Sequence, residues 1–475
     1  MRKGILPIGL LTALIVLSMA LSYLLIFDNN VLLSRWMNNS QAQVNIQNDS
    51  TSQTTEYYAL ARVRLADVVY PTRLTVSTNN QAYLVYDYQT LVDLATLLSQ
   101  TRATLTGKVI EPTEEAYLDL ISQERVELEF STLHPFELAD HFIKDESDQT
   151  EFLFNRIIFP NKDQGGKVYL VNSVAHVYME AKLPSGSLSS AYFDRISQVR
   201  DQWVKATRYS LQNGSYVYIP DDGLTVQSQV YTLNRVPETN IIQALFGNSR
   251  SWRYDSSDQS QGNQTVTYYN ANLEAAINLS SQIVTVNYKN TNLSEAKTFA
   301  QRIEQSFNQI RQFEYWNQGL RYGSQSNATT SVYQRYLQGR PIFPAANLGQ
   351  YASGRVIFRG GNLTSSITRV VMPMLYLEAH IPDLSRDYQL PNVDEILYEL
   401  NIAGFDVTDF TNVVLGYEWQ SDMADYQKVT FIPRWYFEYN GSHYTLEQIM
   451  DGAIKPQTQT SQVPSNQGGG DSNGL

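Results

Sequence analysis

The sequence predicts an α+β protein, in which a single N-terminal transmembrane helix is followed by an extracytoplasmic portion of three domains. Three observations support this prediction: an uncharged apolar run near the N-terminus, a mixture of helical and strand periodicities in the rest of the chain, and a pattern that occurs twice in the second half. The chain has 475 residues, which is enough for about two to four domains of ordinary size.

The apolar run spans residues 4–27 and contains no charged side chain. A helix needs roughly 20 apolar residues to cross the hydrocarbon core of a bilayer, so this run is long enough. Arg2 and Lys3 precede the run, and Asp28 follows it. Because basic residues favour the cytoplasmic end, we expect the N-terminus in the cytoplasm and the bulk of the chain outside the cell membrane.

A cleaved secretory signal is the alternative interpretation of the same run. Ser18 and Ala20 have the small-residue spacing of a cleavage site. The apolar sequence nevertheless continues through residues 21–27, whereas the apolar part of a signal peptide normally has about 7–15 residues. We therefore expect an uncleaved, single-pass anchor.

One face of the predicted anchor carries small residues at spacings of four, three and four, namely Gly9, Ala13, Val16 and Ala20. Helices in lipid associate by close packing over small residues, because no hydrophobic force drives them together. We expect these four residues to contact a transmembrane partner. The alternative is that such a stripe arises by chance in an anchor rich in Leu and Ala.

The composition limits the class of partner. The formal net charge is −12, whereas sequence-independent binding of nucleic acid needs clustered Lys and Arg. The same charge disfavours adhesion to anionic wall polymers. The chain has no Cys, so its exported domains must be stable without disulfides. We therefore expect no nucleic-acid partner, and a contact with the lipid bilayer through the anchor.

Changes in composition and periodicity divide the chain into six segments. The residues after the anchor are rich in Asn, Gln, Ser and Thr, which is typical of a spacer, and the last residues lack any apolar period. The predicted segments are a cytoplasmic tip and anchor at 1–30, a polar spacer at 31–55, an N-terminal α+β domain at 56–212, a central α+β domain at 213–322, a C-terminal α+β domain at 323–454 and a disordered tail at 455–475.

The N-terminal domain mixes helices with strands. Leu residues recur at helical spacing within 88–100, and Thr113 followed by two Glu residues is typical of a helix start. The segment 192–211 predicts one long helix with Trp203 on its apolar face. Alternating apolar and polar residues predict strands at 126–130, 167–170 and 176–181.

The second half contains a pattern that occurs twice. Ile-Pro-Asp at 219–221 precedes Tyr-Thr-Leu at 231–233, and Ile-Pro-Asp at 381–383 precedes Tyr-Gln-Leu at 388–390. In both copies a Pro opens a short helix with inward Ile and Leu, and a Gly ends it. The repetition predicts that the last two domains are similar to each other. Between the copies, residues 294–313 have the apolar period of a helix that packs on a sheet.

The sequence offers no catalytic or metal-binding pattern. Zinc sites on a helix use His residues three to five positions apart, and G-x-S-x-G, H-E-x-x-H and Walker sequences are absent. The chain has five His residues, none at that spacing: His134, His141, His176, His380 and His443. We therefore expect no catalytic residue, no cofactor and no metal ion.

Paired acidic residues and paired glycines have ordinary structural explanations. The acidic pairs at 114–115 and 394–395 lie at predicted helix starts, where carboxylates interact favourably with the helix dipole. The glycines at 165–166 and 360–361 and the Asp-Asp-Gly at 221–223 are typical of turns. An exported cell-envelope hydrolase is the alternative function, because two distant carboxylates that converge in the fold would suffice for glycosidase chemistry.

Aromatic residues alternate along a predicted strand near the C-terminus. Trp435, Phe437 and Tyr439 share the face expected in the core. Tyr436 and Glu438 lie on the opposite face, where they would meet a partner or the core.

Three segments resemble the YycH family: LFGNSRSWRY at 245–254, LGYEWQ at 415–420 and VTFIPRWYFEYNG at 429–441. The basic N-terminus, the single anchor and the exported three-part portion are similar to the layout of that family. Its members are extracytoplasmic accessory regulators of the essential sensor histidine kinase WalK (YycG) in low-GC Gram-positive bacteria.

The resemblance covers nearly the whole chain. It implies an N-terminal domain followed by two similar domains, and a complex with WalK and the related membrane protein YycI in which transmembrane helices take part. The family offers no catalytic residues to assign. The chain departs from the family in its long polar C-terminal tail.

These observations predict a non-enzymatic, membrane-anchored regulator that modulates a sensor histidine kinase controlling cell-wall metabolism, through transmembrane-helix and ectodomain contacts. A passive envelope-binding module is a second alternative beside the hydrolase. The acidic balance of the chain disfavours that module.

Overall fold

A computed structural model describes residues 64–144, 152–160, 166–184, 187–247, 252–258, 265–289, 298–311, 314–316, 318–323, 326, 329–345, 354–360, 368–422 and 425–456. The predicted anchor with its four small residues, the spacer, and the tail from residue 457 lie outside these ranges. No helix within these ranges is long and apolar enough to span a membrane.

The described part of the chain is a mixed α+β fold with more strand than helix. Its α-helices are α1 (Leu65–Val68), α2 (Tyr88–Thr101), α3 (Glu114–Ser122), α4 (Ser187–Ser197), α5 (Glu238–Phe246), α6 (Phe299–Ile310), α7 (Val393–Ile402) and α8 (Leu446–Met450). Its strands up to the middle of the chain are β1 (Pro71–Thr78), β2 (Gln81–Val85), β3 (Ala103–Leu105), β4 (Arg125–Pro135), β5 (Ile143–Lys144), β6 (Leu153–Pro160), β7 (Lys167–Asn172), β8 (Val177–Lys182), β9 (Trp203–Ser210), β10 (Tyr216–Pro220), β11 (Leu224–Gln227), β12 (Gln229–Arg235) and β13 (Arg253–Asp258). The later strands are β14 (Thr265–Tyr269), β15 (Leu273–Asn278), β16 (Ile283–Tyr288), β17 (Leu320–Tyr322), β18 (Thr330–Leu337), β19 (Arg340–Pro344), β20 (Arg355–Arg359), β21 (Thr368–Pro373), β22 (Leu375–His380), β23 (Asp387–Leu390), β24 (Asn412–Asp422), β25 (Asp425–Tyr439) and β26 (Ser442–Thr445).

Within the described ranges, the first sheet has ten strands in the order β10-β9-β2-β1-β4-β6-β7-β8-β3-β5. The β1–β2 hairpin turns at Asn79 and Asn80, whose φ angles are 50° and 59°. Asn adopts this left-handed conformation more readily than most residues, and two such residues give the turn that suits the twist of a hairpin. The turn therefore fixes the register in which Thr78 lies opposite Gln81.

The second sheet system has the order β13-β14-β15-β16-β21-β20-β18-β19-β24-β25-β12-β22, with β17 beside β18 and β26 beside β25. Its strands β19 and β24 are parallel, with Ile342 opposite Tyr417. Gly416 is required there, because a Cβ atom at this position would lie 2.6 Å from the ring of Phe343. β11 and β23 form a separate two-stranded ribbon.

Several predicted helices are confirmed. α2 matches the apolar period over 88–100, and α3 begins after Thr113, whose hydroxyl accepts a hydrogen bond from the N–H of Ala116. α6 lies within the predicted 294–313, and Thr298 caps its first turn. Side-chain caps satisfy N–H groups that a helix start leaves without a partner, so these residues fix where each helix begins.

The prediction of one long helix over 192–211 is wrong. The helix α4 ends at Ser197, and after a short 3₁₀ turn the chain forms β9, Trp203–Ser210. β9 is hydrogen-bonded on both edges, to β2 and to β10. The β-branched Val204 and Thr207 favour an extended backbone, and strand pairing on both sides outweighs a weak helical period.

Strand pairing runs across the predicted domain boundary between residues 322 and 323. β16 pairs with β21, β17 pairs with β18, and β12 lies between β22 and β25. The domain limits and the similarity of the last two domains therefore stay predictions. In each copy of the repeated pattern, Ile-Pro-Asp lies at or just after the end of a strand and leads into one strand of the β11–β23 ribbon.

Apolar packing connects the first sheet with the later part of the chain. The largest core includes Leu74 from β1 and Met372 from β21. A second core includes Ile219 from β10 and Ile396 from α7. Burial of apolar area is the main stabilising contribution to a fold, so elements far apart in the sequence stabilise one another.

Candidate functional site

The histidines do not form a common site. Burial lowers the pKa of His134 to about 3, that of His443 to about 3 and that of His141 to about 4. These three imidazoles are therefore neutral at neutral pH. Among the described residues, no three His, Asp or Glu side chains are grouped as a metal site requires.

His176 occupies the turn between β7 and β8. Its Nδ1 lies 2.9 Å from Glu114 Oε2, and its Nε2 lies 2.8 Å from the carbonyl oxygen of Gly214. Burial alone would lower its pKa, but the hydrogen bonds to Gly214 and Glu114 raise the pKa of the imidazole. The ring stacks on Tyr117 at 4.3 Å. Through these two hydrogen bonds, His176 connects its own turn to α3 and to the turn that contains Gly214.

Charged side chains cross the interior of the first sheet. Arg125, Glu127 and Glu129 occupy alternate positions of β4 and therefore share one face. Arg73 on β1 and Arg156 on β6 lie directly opposite Glu129 in the strand register. We call these five residues the β4 charge network.

Each carboxylate of the β4 charge network lies against two guanidinium groups. Glu127 Oε2 is 3.1 Å from Arg125 Nε, and the other oxygen of Glu127 accepts a hydrogen bond from Arg156. Glu129 Oε2 is 3.3 Å from Arg156 Nη1 and 3.5 Å from Arg73 Nε. Cross-strand spacing of about 5 Å brings these groups together without any loop.

Two tyrosines of β10 close the β4 charge network. Tyr216 Oη donates a hydrogen bond to Glu127 at 3.1 Å, and Tyr218 Oη accepts one from Arg125 Nη2 at 2.5 Å. Burial alone would raise the pKa of Glu127, but Arg156 and Arg125 hold it below its usual range. The carboxylate therefore stays ionised, whereas a general acid needs a raised pKa. The network fits a structural role, because each buried carboxylate meets opposite charge.

The β4 charge network also reaches the C-terminal strands. Arg73 Nη2 donates a hydrogen bond to the carbonyl oxygen of Val413 on β24 at 3.2 Å. Next to it, Ser131 Oγ on β4 donates to the carbonyl oxygen of Tyr322 on β17 at 2.8 Å. One arginine therefore pairs with Glu129 in its own sheet and binds the backbone of the other sheet system.

A further arginine makes the reciprocal contact. Arg321 on β17 donates from Nη1 to the carbonyl oxygen of Asp67 in α1 at 2.7 Å, and its guanidinium lies 4.8 Å from the ring of Tyr70. Gly339 adjoins the ring of Tyr88, where a Cβ atom would lie 2.7 Å away. We call this contact region the inter-sheet joint, and its hydrogen-bonding residues are Arg73, Val413, Ser131, Tyr322, Arg321 and Asp67.

Two small cavities lie at the inter-sheet joint, with volumes of about 40 and 50 Å³. They have room for a few water molecules, whereas ligand pockets measure roughly 300–1,000 Å³. A larger surface cavity of about 400 Å³ borders the β4 charge network at Arg125. Every guanidinium nitrogen of Arg125 already donates to Glu127, Gln123 or Tyr218, so this cavity presents no free buried cation.

The predicted aromatic strand is buried on both faces. Trp435, Phe437 and Tyr439 lie in the core, as predicted for that face. Tyr436 is buried too, with its ring 4.0 Å from that of Phe343, and Glu438 is buried beside it. The option that this second face meets a partner is therefore wrong, because both side chains are buried within the chain itself.

The four small residues predicted to contact a partner, Gly9, Ala13, Val16 and Ala20, lie outside the described residues, so that prediction remains open to experiment. Sequence reasoning missed the β4 charge network. Its signal was present in the run Arg-Val-Glu-Leu-Glu-Phe at 125–130, where charge occupies every second position of an otherwise apolar strand. Such a pattern places all the charge on one face of a sheet.

The fold and the site define a class: a large α+β protein of linked sheets, whose interior charges hold its own strands together. A family model for the C-terminal domain of the YycH protein matches residues 214–452, about half of the chain. The chain therefore belongs to the YycH family.

A solved structure supports the fold. The chain is similar to the crystal structure of YycH from Bacillus subtilis, with a TM-score of 0.66 and 14% sequence identity over 81% of this chain and 98% of that one. The comparison with curated proteins gives no match. Membership of the YycH family supports a general role in regulating the WalK/YycG two-component system, and the family is regulatory.

Proposed function

We propose that this protein is a membrane-anchored, non-enzymatic regulator that binds the sensor histidine kinase WalK (YycG) and changes its activity. The single observation that carries the proposal is the YycH family match over residues 214–452. The apolar run at 4–27 supports a single-pass location in the cell membrane, with the N-terminus in the cytoplasm. The family resemblance adds a YycI-like membrane protein as a second partner.

A regulator of this kind acts through a difference in affinity. A bound partner shifts a kinase between two states only if it binds one state more tightly than the other. The anchor would supply the intramembrane contact through Gly9, Ala13, Val16 and Ala20. The ectodomain would fix orientation, and the inter-sheet joint supports this role because it ties distant strands to one another.

Kinase output in cells that lack their own copy of the gene tests the proposal. We expect the full chain to change the phosphorylated fraction of the cognate response regulator, and residues 1–30 alone to have less effect. The double variant Gly9→Ile/Ala13→Ile should lose co-purification of WalK from membranes. The matched variant Leu10→Ile/Leu14→Ile, on the neighbouring helix face, should retain it.

Two results would contradict the proposal in different ways. An unchanged response-regulator phosphorylation on expression of the full chain would exclude the regulatory function. Retained co-purification of WalK by Gly9→Ile/Ala13→Ile would exclude only the intramembrane contact, and would move the binding surface to the ectodomain. The alternative envelope hydrolase needs a general acid of raised pKa, and the buried Glu127 does not fit that role because two arginines hold it ionised.

A further inference from the structure

The outward face of α7 carries two large apolar side chains. Tyr398 is 68% exposed and Ile402 is 58% exposed, although they lie one helical turn apart on a well-packed helix. Ile396 and Leu400 on the opposite side are fully buried in the second core. The helix is therefore anchored without Tyr398 and Ile402, and folding leaves both in water.

The ends of α7 are fixed by local contacts. Asn392 caps the first turn by accepting a hydrogen bond from the N–H of Glu395, whose side chain accepts one from the N–H of Asn392. After the last turn the chain passes through Gly404 at a φ of 83°, beside Pro456. Such caps hold a helix end in one conformation, so the exposed pair is displayed on a rigid element.

The charged side chains of α7 itself have one sign. Residues 387–427, which lie between Arg386 and Lys428, contain nine Asp and Glu residues and no Lys or Arg. Three of these carboxylates, Asp394, Glu395 and Glu399, lie on α7 itself and flank the exposed apolar pair. The apolar pair thus has a negative rim.

Among the described residues, neither Arg434 nor Lys455, which precedes the Pro456 beside Gly404, forms an ion pair with this rim. Arg434 is 2.6 Å from Glu418 through Nε and pairs with Glu447 of the adjacent α8 through Nη1. Within the part of the chain that the structure describes, Asp394 and Glu399 have no ion pair. An apolar centre with a rim of single charge favours a partner with the complementary pattern.

The charge also argues against three other occupants. A second copy of the chain would place the carboxylates of one α7 against those of the other, which is destabilising. An anionic lipid surface would be repelled for the same reason. The tail at 457–475 has no Lys or Arg, and its only aliphatic side chains are Val463 and Leu475.

We propose that the outward face of α7, with Tyr398 and Ile402 at its centre and Asp394, Glu395 and Glu399 around them, is the docking site for an amphipathic segment of another protein that carries Lys or Arg beside its apolar residues. The proposal does not depend on the regulatory function. It concerns the described ectodomain, whereas the kinase contact proposed above uses the anchor.

A defined peptide tests the chemistry of this site. The probe is a labelled amphipathic helix of Leu and Lys, about five turns long, and its control is the same peptide with Glu in place of Lys. Fluorescence anisotropy would measure the affinity of the full chain in neutral detergent for both peptides. We expect binding of the Lys peptide that weakens with added salt, and at least tenfold weaker binding of the Glu peptide, about 1.4 kcal/mol.

Matched variants locate the binding. Tyr398→Ser/Ile402→Ser should weaken the Lys peptide at least about tenfold, and Glu399→Lys should weaken it and reduce its salt dependence. Leu118→Ser is the control, because Leu118 is also exposed on an acidic helix, α3, but its apolar neighbour one turn away, Ile121, is buried. It should change the affinity less than twofold, about 0.4 kcal/mol.

The remaining outcomes overturn the proposal. If Leu118→Ser lost as much affinity as Tyr398→Ser/Ile402→Ser, or if the Glu peptide bound as tightly as the Lys peptide, the binding would be nonspecific. Tighter binding after deletion of 457–475 would identify the tail as the occupant, and concentration-dependent dimers abolished by Tyr398→Ser/Ile402→Ser would identify a second copy. A photo-crosslinking residue in place of Tyr398 in native membranes supplies the independent measurement: the crosslinked peptide must contain apolar residues beside Lys or Arg, and a lipid adduct would refute the site.

Discussion

Replacing the buried His134 by Phe should remove part of the chain's sensitivity to acid. His134 is fully buried in β4, with ring centroids 5.8 Å from Phe130, 6.4 Å from Phe154 and 6.2 Å from Tyr322. Neither of its nitrogens has a hydrogen-bond partner among the described residues. Burial lowers its pKa from 6.5 to about 3, so the folded state keeps this imidazole neutral.

The sign and the magnitude of this change in stability with pH follow from the protons that His134 binds in the folded and unfolded states. The unfolded chain protonates this imidazole below pH 6.5, whereas the folded chain does so only near pH 3. The stability that depends on neutral His134 is therefore complete above pH 6.5 and is lost as the pH falls toward 3. The loss is about 1.4 kcal/mol per pH unit, or about 2 kcal/mol by pH 5.

Hydrogen exchange of the β4 amides, measured by mass spectrometry on the full chain in neutral detergent, reports this local stability. Between pH 6.5 and 5, after correction for the intrinsic exchange rate, His134→Phe should lose about 2 kcal/mol less stability than the wild type. His176→Gln is the comparison of opposite sign: the raised pKa of His176 adds stability below pH 6.5, so this variant should lose more. If His134→Phe follows the same pH curve as the wild type, His134 is not a buried neutral group.

Two further substitutions test the packing. Glu127→Gln leaves Arg125 without an ion pair and Arg156 with Glu129 alone, and it should cost about 3–5 kcal/mol of unfolding free energy. Glu180→Gln in the partly exposed pair with Lys167 should cost less than about 1 kcal/mol. Similar costs of the two variants in urea unfolding would contradict a buried network. Gly416→Ala puts a Cβ atom 2.6 Å from Phe343 and should cost about 1–3 kcal/mol of unfolding free energy. Gly107→Ala is the control, because open space surrounds Gly107, and its stability should be near that of the wild type. An unchanged thermal midpoint for Gly416→Ala would show that β19 and β24 separate easily.

Sequence patterns predicted helices correctly where contacts within one or two helical turns determine the structure. The N-cap at Thr113 and the Leu period over 88–100 are read within one or two helical turns, and both helices are confirmed. The prediction of one long helix over 192–211 failed because the second half of this segment forms hydrogen bonds with β2 and β10. β10 follows β9 directly in the chain, but β2 lies more than a hundred residues earlier, so a short window contains no information about that partner.

The charged and exposed positions were harder to predict than the core. Alternation in β4 places Arg125, Glu127 and Glu129 on one face, but an exposed face would give the same pattern. Only the register with Arg73 and Arg156 shows that the charges meet in the interior. A one-residue change in register would place every side chain on the other face, and the sequence alone does not specify the register.

The exposed pair on α7 shows the same limit in a helix. The prediction of inward Ile and Leu is correct for Ile396 and Leu400, which are buried. Ile402 follows Ile396 by six positions, roughly 240° further round a helix with 3.6 residues per turn, and is exposed. The composition of the helix indicates an apolar face, whereas the width of that face depends on what packs against it.

Occupancy of α7 would influence the predicted anchor if docking biases an element that extends to residue 64, and packed contacts are one route for such coupling. The buried side of α7 packs in one core with Val217 and Ile219 of β10, which is an edge strand of the first sheet. From that sheet, Arg73 reaches back to β24, and Arg321 holds the backbone of Asp67 in α1. A partner on α7 thus contacts the same packed body to which residue 64 belongs. Coupling still requires that this body has two arrangements with different affinity for the partner.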